Sequence, residues 1–196
     1  MKSINLFRTL AAIALLTMSF ACGTKKQEDS AEVAKDINEE TAQNKDDEKD
    51  ADFVVNTVAA NYAELKLAQL AQNRSKDTEI KDLAKMLEKD HNKVISDLKS
   101  FASKNGIVIP TEETNDDMDE INDLAAESDA GKFDEKWCEE LADRHEKTID
   151  KFEKRLSRSE DLELQNWINA TLPSLRNHLA MLKQHKDRVD DNAGSR

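Results

Sequence analysis

The sequence predicts an all-α protein, a four-helix bundle with a long crossover between the second and third long helices. Three observations predict it. Among 196 residues there are only four glycines and two prolines, while Ala, Leu, Glu, Lys and Asp dominate, a composition of helices rather than sheets. Four long segments repeat apolar residues at three-and-four spacing. The links between these segments are short, long and short, the pattern of two antiparallel pairs joined by one crossover.

The first long helix is expected from near Asp52, where Phe53, Val54, Thr57, Val58, Asn61, Leu65, Ala68 and Ala71 share one face. It is expected to end between residues 73 and 75. In the second, Ile80, Ala84, Leu87, His91, Val94, Leu98 and Phe101 alternate spacings of four and three, and Gly106 stands where a left-handed cap stops a helix. Residues 107–110 read as a short extended piece, because Pro110 forbids immediate helix. The acidic stretch 111–131, with Met118, Ile121 and Leu124 as its larger apolar residues, fits a short, lightly packed helix inside the crossover.

The third long helix is expected to open at Phe133 and Asp134, with Asp134 as the cap and Phe133 packing on Cys138. Its stripe runs Trp137, Leu141, His145, Thr148, Ile149, Phe152, Leu156. The fourth carries Leu164, Ile168, Thr171, Leu172, Leu175, His178, Leu179, Leu182 and Val189, with Pro173 inside it as the expected site of a kink. Residues 52–190 thus form the folded part, and 191–196 are expected to fray. This order of helices is the ferritin-like arrangement.

Ahead of the bundle, Lys2 and Arg8 precede an uncharged, mostly apolar run over residues 10–20. That run is far short of the roughly 20 residues a spanning helix needs, so residues 1–21 read as a removable export signal. Ser19-Phe20-Ala21-Cys22 resembles the lipobox of bacterial lipoproteins, with serine where an aliphatic residue is typical. The resemblance implies that Cys22 is lipidated, becomes the mature first residue and holds the protein in the cell envelope through its acyl chains. The implied location is the outer membrane, on its periplasmic or outer face. Segment 22–51 has no aromatic residue and an excess of acids, so it reads as a flexible, solvated tether.

The formal net charge is -12, and removing Lys2 and Arg8 makes the mature chain more negative still. Phosphate backbones repel such a chain, which excludes nucleic acid as a partner. With Cys22 acylated, Cys138 has no partner for an intrachain disulfide. Flanked by Glu139 and Glu140, it reads as a small packing residue. Trp137 and Trp167 read as core anchors, and His185 as solvated near a helix end.

From Asp52 to Lys186 the chain resembles the ferritin-like domain of unknown function common in bacterial periplasmic and outer-membrane proteins. The residues that carry the resemblance are Glu64 within Ala63-Glu64-Leu65, Asp90-His91, Phe133-Asp134-x-x-Trp137, Arg144-His145-Glu146, and Leu172-Pro173-x-Leu175-x-x-His178-Leu179. The resemblance implies a fold rather than an activity.

The residues themselves add a constellation. His91, His145 and His178 lie on the apolar stripes of three different helices, and Glu64 lies toward the inner side of the fourth. Counted along the helices, the four fall within about 10 Å of one depth. Neutral imidazoles and a carboxylate inside a bundle suit a divalent transition metal. Glu88 with His91 also forms the Glu-x-x-His pair of di-iron bundles. A second such pair requires a glutamate where Leu175 stands, so no ferroxidase or peroxidase chemistry follows. Two readings remain at this stage. One is a non-enzymatic envelope lipoprotein whose bundle is a binding or interaction module, its core histidines a hydrogen-bonded polar network. The other is a metal-binding envelope protein for storage, sensing or oxidative-stress response, with Glu64, Glu88, His91, His145 and His178 as candidate ligands.

Overall fold

A computed structural model describes residues 28–194, with side chains to Arg188. The leader, Cys22 and its lipobox lie outside the described residues. Those described are all-α, with no strand: α1 (Ser30–Thr41), α2 (Lys45–Arg74), α3 (Thr78–Asn105), α4 (Asn115–Ala125), α5 (Ala130–Leu156) and α6 (Leu162–Gly194). No described helix is long and apolar enough to cross a membrane.

The long helices pack as two hairpins, α2 with α3 and α5 with α6, and α2–α5 and α3–α6 contacts join them. Local chemistry sets the turns. The Asp77 carboxylate accepts from the amides of Glu79 and Ile80 to start α3, and Gly106 ends it at φ 68°, a conformation that costs glycine little. Residues 107–110 are extended as expected, and α4 occupies the long connection that follows.

Three expectations about boundaries are corrected. Segment 22–51 is not wholly a tether, since α1 docks on α2 by packing Ala31 and Ala34 against Val55 and Ala59. Alanines present too little apolar area to register in a composition count, but their small size lets two backbones approach closely. Asn38 secures the far side, donating from Nδ2 to the Val108 carbonyl and accepting from the Val108 amide, both at 2.8 Å. The start of α2 is likewise earlier than Asp52, at Lys45 behind an Asn44 cap. Its acidic first turns are held by Arg155, which binds Asp46 at 2.6 Å and Asp50 at 2.5 Å.

The second correction concerns α5, which begins at Ala130 with Asp129 as its cap, accepting from the Lys132 amide. Asp134 is therefore a buried residue inside the helix and caps nothing. Finally, α6 runs unbroken through Pro173 and past Val189 to Gly194. No helix breaker stands between Pro173 and Gly194, and Arg188 is held by Asp77 at 2.8 Å and Glu79 at 3.3 Å.

The apolar interior is divided in two. One cluster gathers Leu67, Leu87, Phe133, Trp137, Leu141 and Leu182, with Trp137 Nε1 donating to the Leu67 carbonyl at 2.9 Å. The other gathers Phe53, Val58, Leu98, Phe152, Leu164 and Leu175. On α3, α5 and α6 the candidate polar residue falls between the helix's contributions to the two clusters: His91 between Leu87 and Leu98, His145 between Leu141 and Phe152, His178 between Leu175 and Leu182; on α2, Glu64 sits at the same border, beside Ala63. A polar layer with apolar lids on both sides is the result.

Candidate metal centre

Each histidine in this layer is more than nine-tenths buried, and so is Glu64. The three rings form a near-equilateral triangle, with centroids 5.4 to 5.6 Å apart. One nitrogen from each ring lies within 4.8 Å of the other two.

The outward-facing nitrogens reveal where the protons are. Asn61 donates from Nδ2 to the Thr57 carbonyl at 2.7 Å, which turns its Oδ1 toward His91 Nδ1 at 2.8 Å. His91 Nδ1 therefore carries the proton and donates. His145 Nδ1 faces the Leu141 carbonyl at 2.8 Å, another acceptor, so it too is protonated. His178 Nε2 faces the Asp90 carboxylate at 3.0 Å, with Ser174 Oγ beside it at 3.3 Å. In a neutral ring held this way the second nitrogen is a bare lone pair.

Those lone pairs point inward. His145 Nε2 and His178 Nδ1 stand 3.3 Å apart. Glu64 Oε2 lies 2.8 Å from His91 Nε2 and 3.9 Å from His145 Nε2. A tetrahedral metal with bonds near 2.0–2.1 Å sets its donors about 3.3 Å apart, so these separations bracket the requirement. Although Glu64 Oε2 and His91 Nε2 are within ion-pair distance, neither makes a directed hydrogen bond.

Electrostatics agree with this assignment. Burial lowers the pKa of His145, with Glu64 only partly opposing it. Burial also drives His178 down to about 4 against the opposing Asp90 bond. For Glu64, burial pushes upward, but His91 and His145 outweigh it and hold the carboxyl at about 2. Near neutral pH Glu64 is a carboxylate, and burial favours the uncharged form of His145 and His178.

A family model described as "Domain of unknown function (DUF4142)" matches residues 36–185. The chain belongs to that family. The DUF4142 match begins inside α1 and takes in Glu64, His91, His145 and His178 along with their outer partners Asn61, Asp90 and Leu141. No curated protein and no solved structure matches the chain.

Of the five ligand candidates, the structure groups the three histidines, sets Glu64 beside His91 and His145, and leaves one out. Glu88 lies on the outer side of α3, where Gln69 Nε2 and Gln72 Nε2 donate to its two oxygens at 3.1 and 2.7 Å. A spacing of three residues placed it near His91 in sequence, but the groove toward α2 captured its side chain. Asn61 and Asp90 were not foreseen as parts of the centre. Asn61 stands one turn before Glu64 on the same face, which is a legible signal. Asp90 reaches His178 on another helix, which only packing reveals.

Proposed function

We propose that this DUF4142 protein is a lipid-anchored protein of the cell envelope that holds one divalent transition metal through Glu64, His91, His145 and His178. The reading takes the helices as a ferritin-like four-helix bundle, with α4 in a long crossover between α3 and α5. Pairwise packing of α2 with α3 and of α5 with α6 supports that arrangement.

One observation carries the metal assignment: three imidazoles and a carboxylate come together in a buried layer, and every outer nitrogen is locked by its own acceptor. Outer acceptors of this kind fix the ring tautomer and raise ligand basicity in metal sites. With its outer nitrogen held by an acceptor, each ring in its neutral form offers its inner nitrogen as a ligand, which favours coordination over the interaction-module reading. Three nitrogens and one oxygen suit zinc, iron(II), cobalt(II) or copper(II) better than calcium or magnesium. Four protein donors complete a tetrahedral shell, as in sites that hold a metal rather than activate water on it. Storage, sensing or structural use follows from that chemistry.

Elemental analysis of the purified chain and a cobalt(II) titration of wild type against His91→Ala test the proposal. The expected result is about one metal per wild-type chain, with a raised melting temperature by linkage. Less than about 0.2 metal per chain, with equal melting temperatures with and without metal, overturns it.

A further inference from the structure

Beside the centre lies a cavity of about 590 Å³, within the size range of small-molecule pockets. It follows the α2 face from Asp46 to Glu64 and the α5 face from Thr148 to Arg155, with Arg158 just beyond, a course of about 27 Å along α2. Its walls are apolar, formed by Phe53, Ala60, Val94, Phe152 and Leu175. Its buried end is polar, formed by Asn61, Glu64 and His91.

The charge at the outer end runs against that of the molecule. Although the chain is strongly acidic, the cavity is rimmed by Lys49, Lys151, Lys154 and Arg158, all exposed. Arg155, also on the rim, is already engaged by Asp46 and Asp50. Asp52 is the remaining rim acid. A long apolar channel with a cationic mouth complements a molecule that has one anionic end and a slender hydrocarbon body. The anionic end belongs at the mouth, because a second carboxylate at the buried end would face Glu64.

We propose that this cavity binds a single-chain amphipathic carboxylate, its head among Lys49, Lys151, Lys154 and Arg158 and its tail along Phe53, Val94 and Phe152. The site goes beyond the metal function and does not require it. The bound tail covers the side of the centre where Glu64 and His91 meet the cavity and excludes water there.

Calorimetric titration of the full mature chain with laurate below its micelle concentration tests the proposal, with dodecyltrimethylammonium as the probe of equal tail and opposite charge. Saturable binding at one laurate per chain is expected, at least tenfold tighter than the cation. The surface double variant Lys151→Glu/Lys154→Glu is expected to weaken laurate at least tenfold. Ala60→Trp, which fills the channel, is expected to abolish binding while leaving metal content unchanged. His145→Ala separates the two readings, because His145 contributes to the centre and does not line the cavity: laurate binding is expected to persist there when metal is lost. Absence of saturable laurate binding, equal affinity for the two probes, or a charge-reversed variant that binds like wild type overturns the site.

Discussion

Glu64 Oε2 and His91 Nε2 lie 2.8 Å apart in the interior with no directed hydrogen bond between them. Asn61 sets the tautomer from the other side of the ring: it accepts from Nδ1, so in the neutral ring Nε2 is the free lone pair. Glu64→Gln inverts the relationship, since an amide can donate to His91. The variant is expected to be more stable than wild type without metal, and to bind metal at least about 100-fold more weakly, beyond the loss typical of outer partners. Thermal melts of the metal-free proteins and a cobalt(II) titration check both halves. A variant that melts lower and binds metal as tightly contradicts the tautomer assignment.

Asp90 orients His178 without joining the inner four. Asp90→Asn keeps the size of the side chain but weakens the hold on the Nε2 proton, so metal affinity is expected to fall about 10- to 100-fold with the fold retained. Competition with a chelator of known affinity measures it. Unchanged affinity removes Asp90 from the centre.

Asp134 tests the core away from the metal. Burial raises its pKa, with a bond from Ser75 opposing, and its Oδ1 has no hydrogen-bond partner. A raised folded-state pKa contributes stability below the unfolded value near 3.8, and that contribution is lost as pH rises through the folded value. Asp134→Asn removes the ionisation while keeping the shape. It is expected to stabilise the protein by about 1 kcal/mol at pH 7, with the advantage disappearing below the ordinary carboxylate range. Urea titrations at pH 7 and pH 3.5 check the sign.

Docking of α1 rests on small contacts that single changes can break. Asn38→Ala leaves the Val108 amide and carbonyl without their partner and is expected to cost about 1–3 kcal/mol. Ala34→Glu places a charge against Val55 and Ala59 and is expected to release α1, which amide exchange over Ser30–Thr41 reads directly. Equal protection in the variant contradicts the docked arrangement.

The anchor has a separate test. Cys22→Ser is expected to move the protein from the membrane fraction to the soluble fraction, because the acyl chains supply the affinity. Unchanged fractionation contradicts lipidation.

The boundary errors have a common cause. Periodicity located each long helix because buried faces must repeat every three or four residues, and Gly106 marked the end of α3 because few other residues tolerate its conformation. Composition misread α1 because Ala31 and Ala34 stabilise docking by closeness rather than by area, and it misread the start of α2 because Asp46 and Asp50 look solvated until Arg155 is placed beside them. The early start of α5 was missed because Asp129 and Asp134 are chemically equal as caps, and only the backbone shows which one accepts from a free amide.

What the sequence determined alone was which residues share a helix face: the apolar stripes, and the presence of one histidine or glutamate on each of four of them. Period and propensity are properties of the local chain, so they can be read without knowing any neighbour. Which donors meet was decided by tertiary structure, which excluded Glu88, recruited Asn61 and Asp90, and brought His91 and His145 to Glu64. A ring's protonated nitrogen depends on the acceptor across the groove, and that acceptor belongs to a different turn or a different helix.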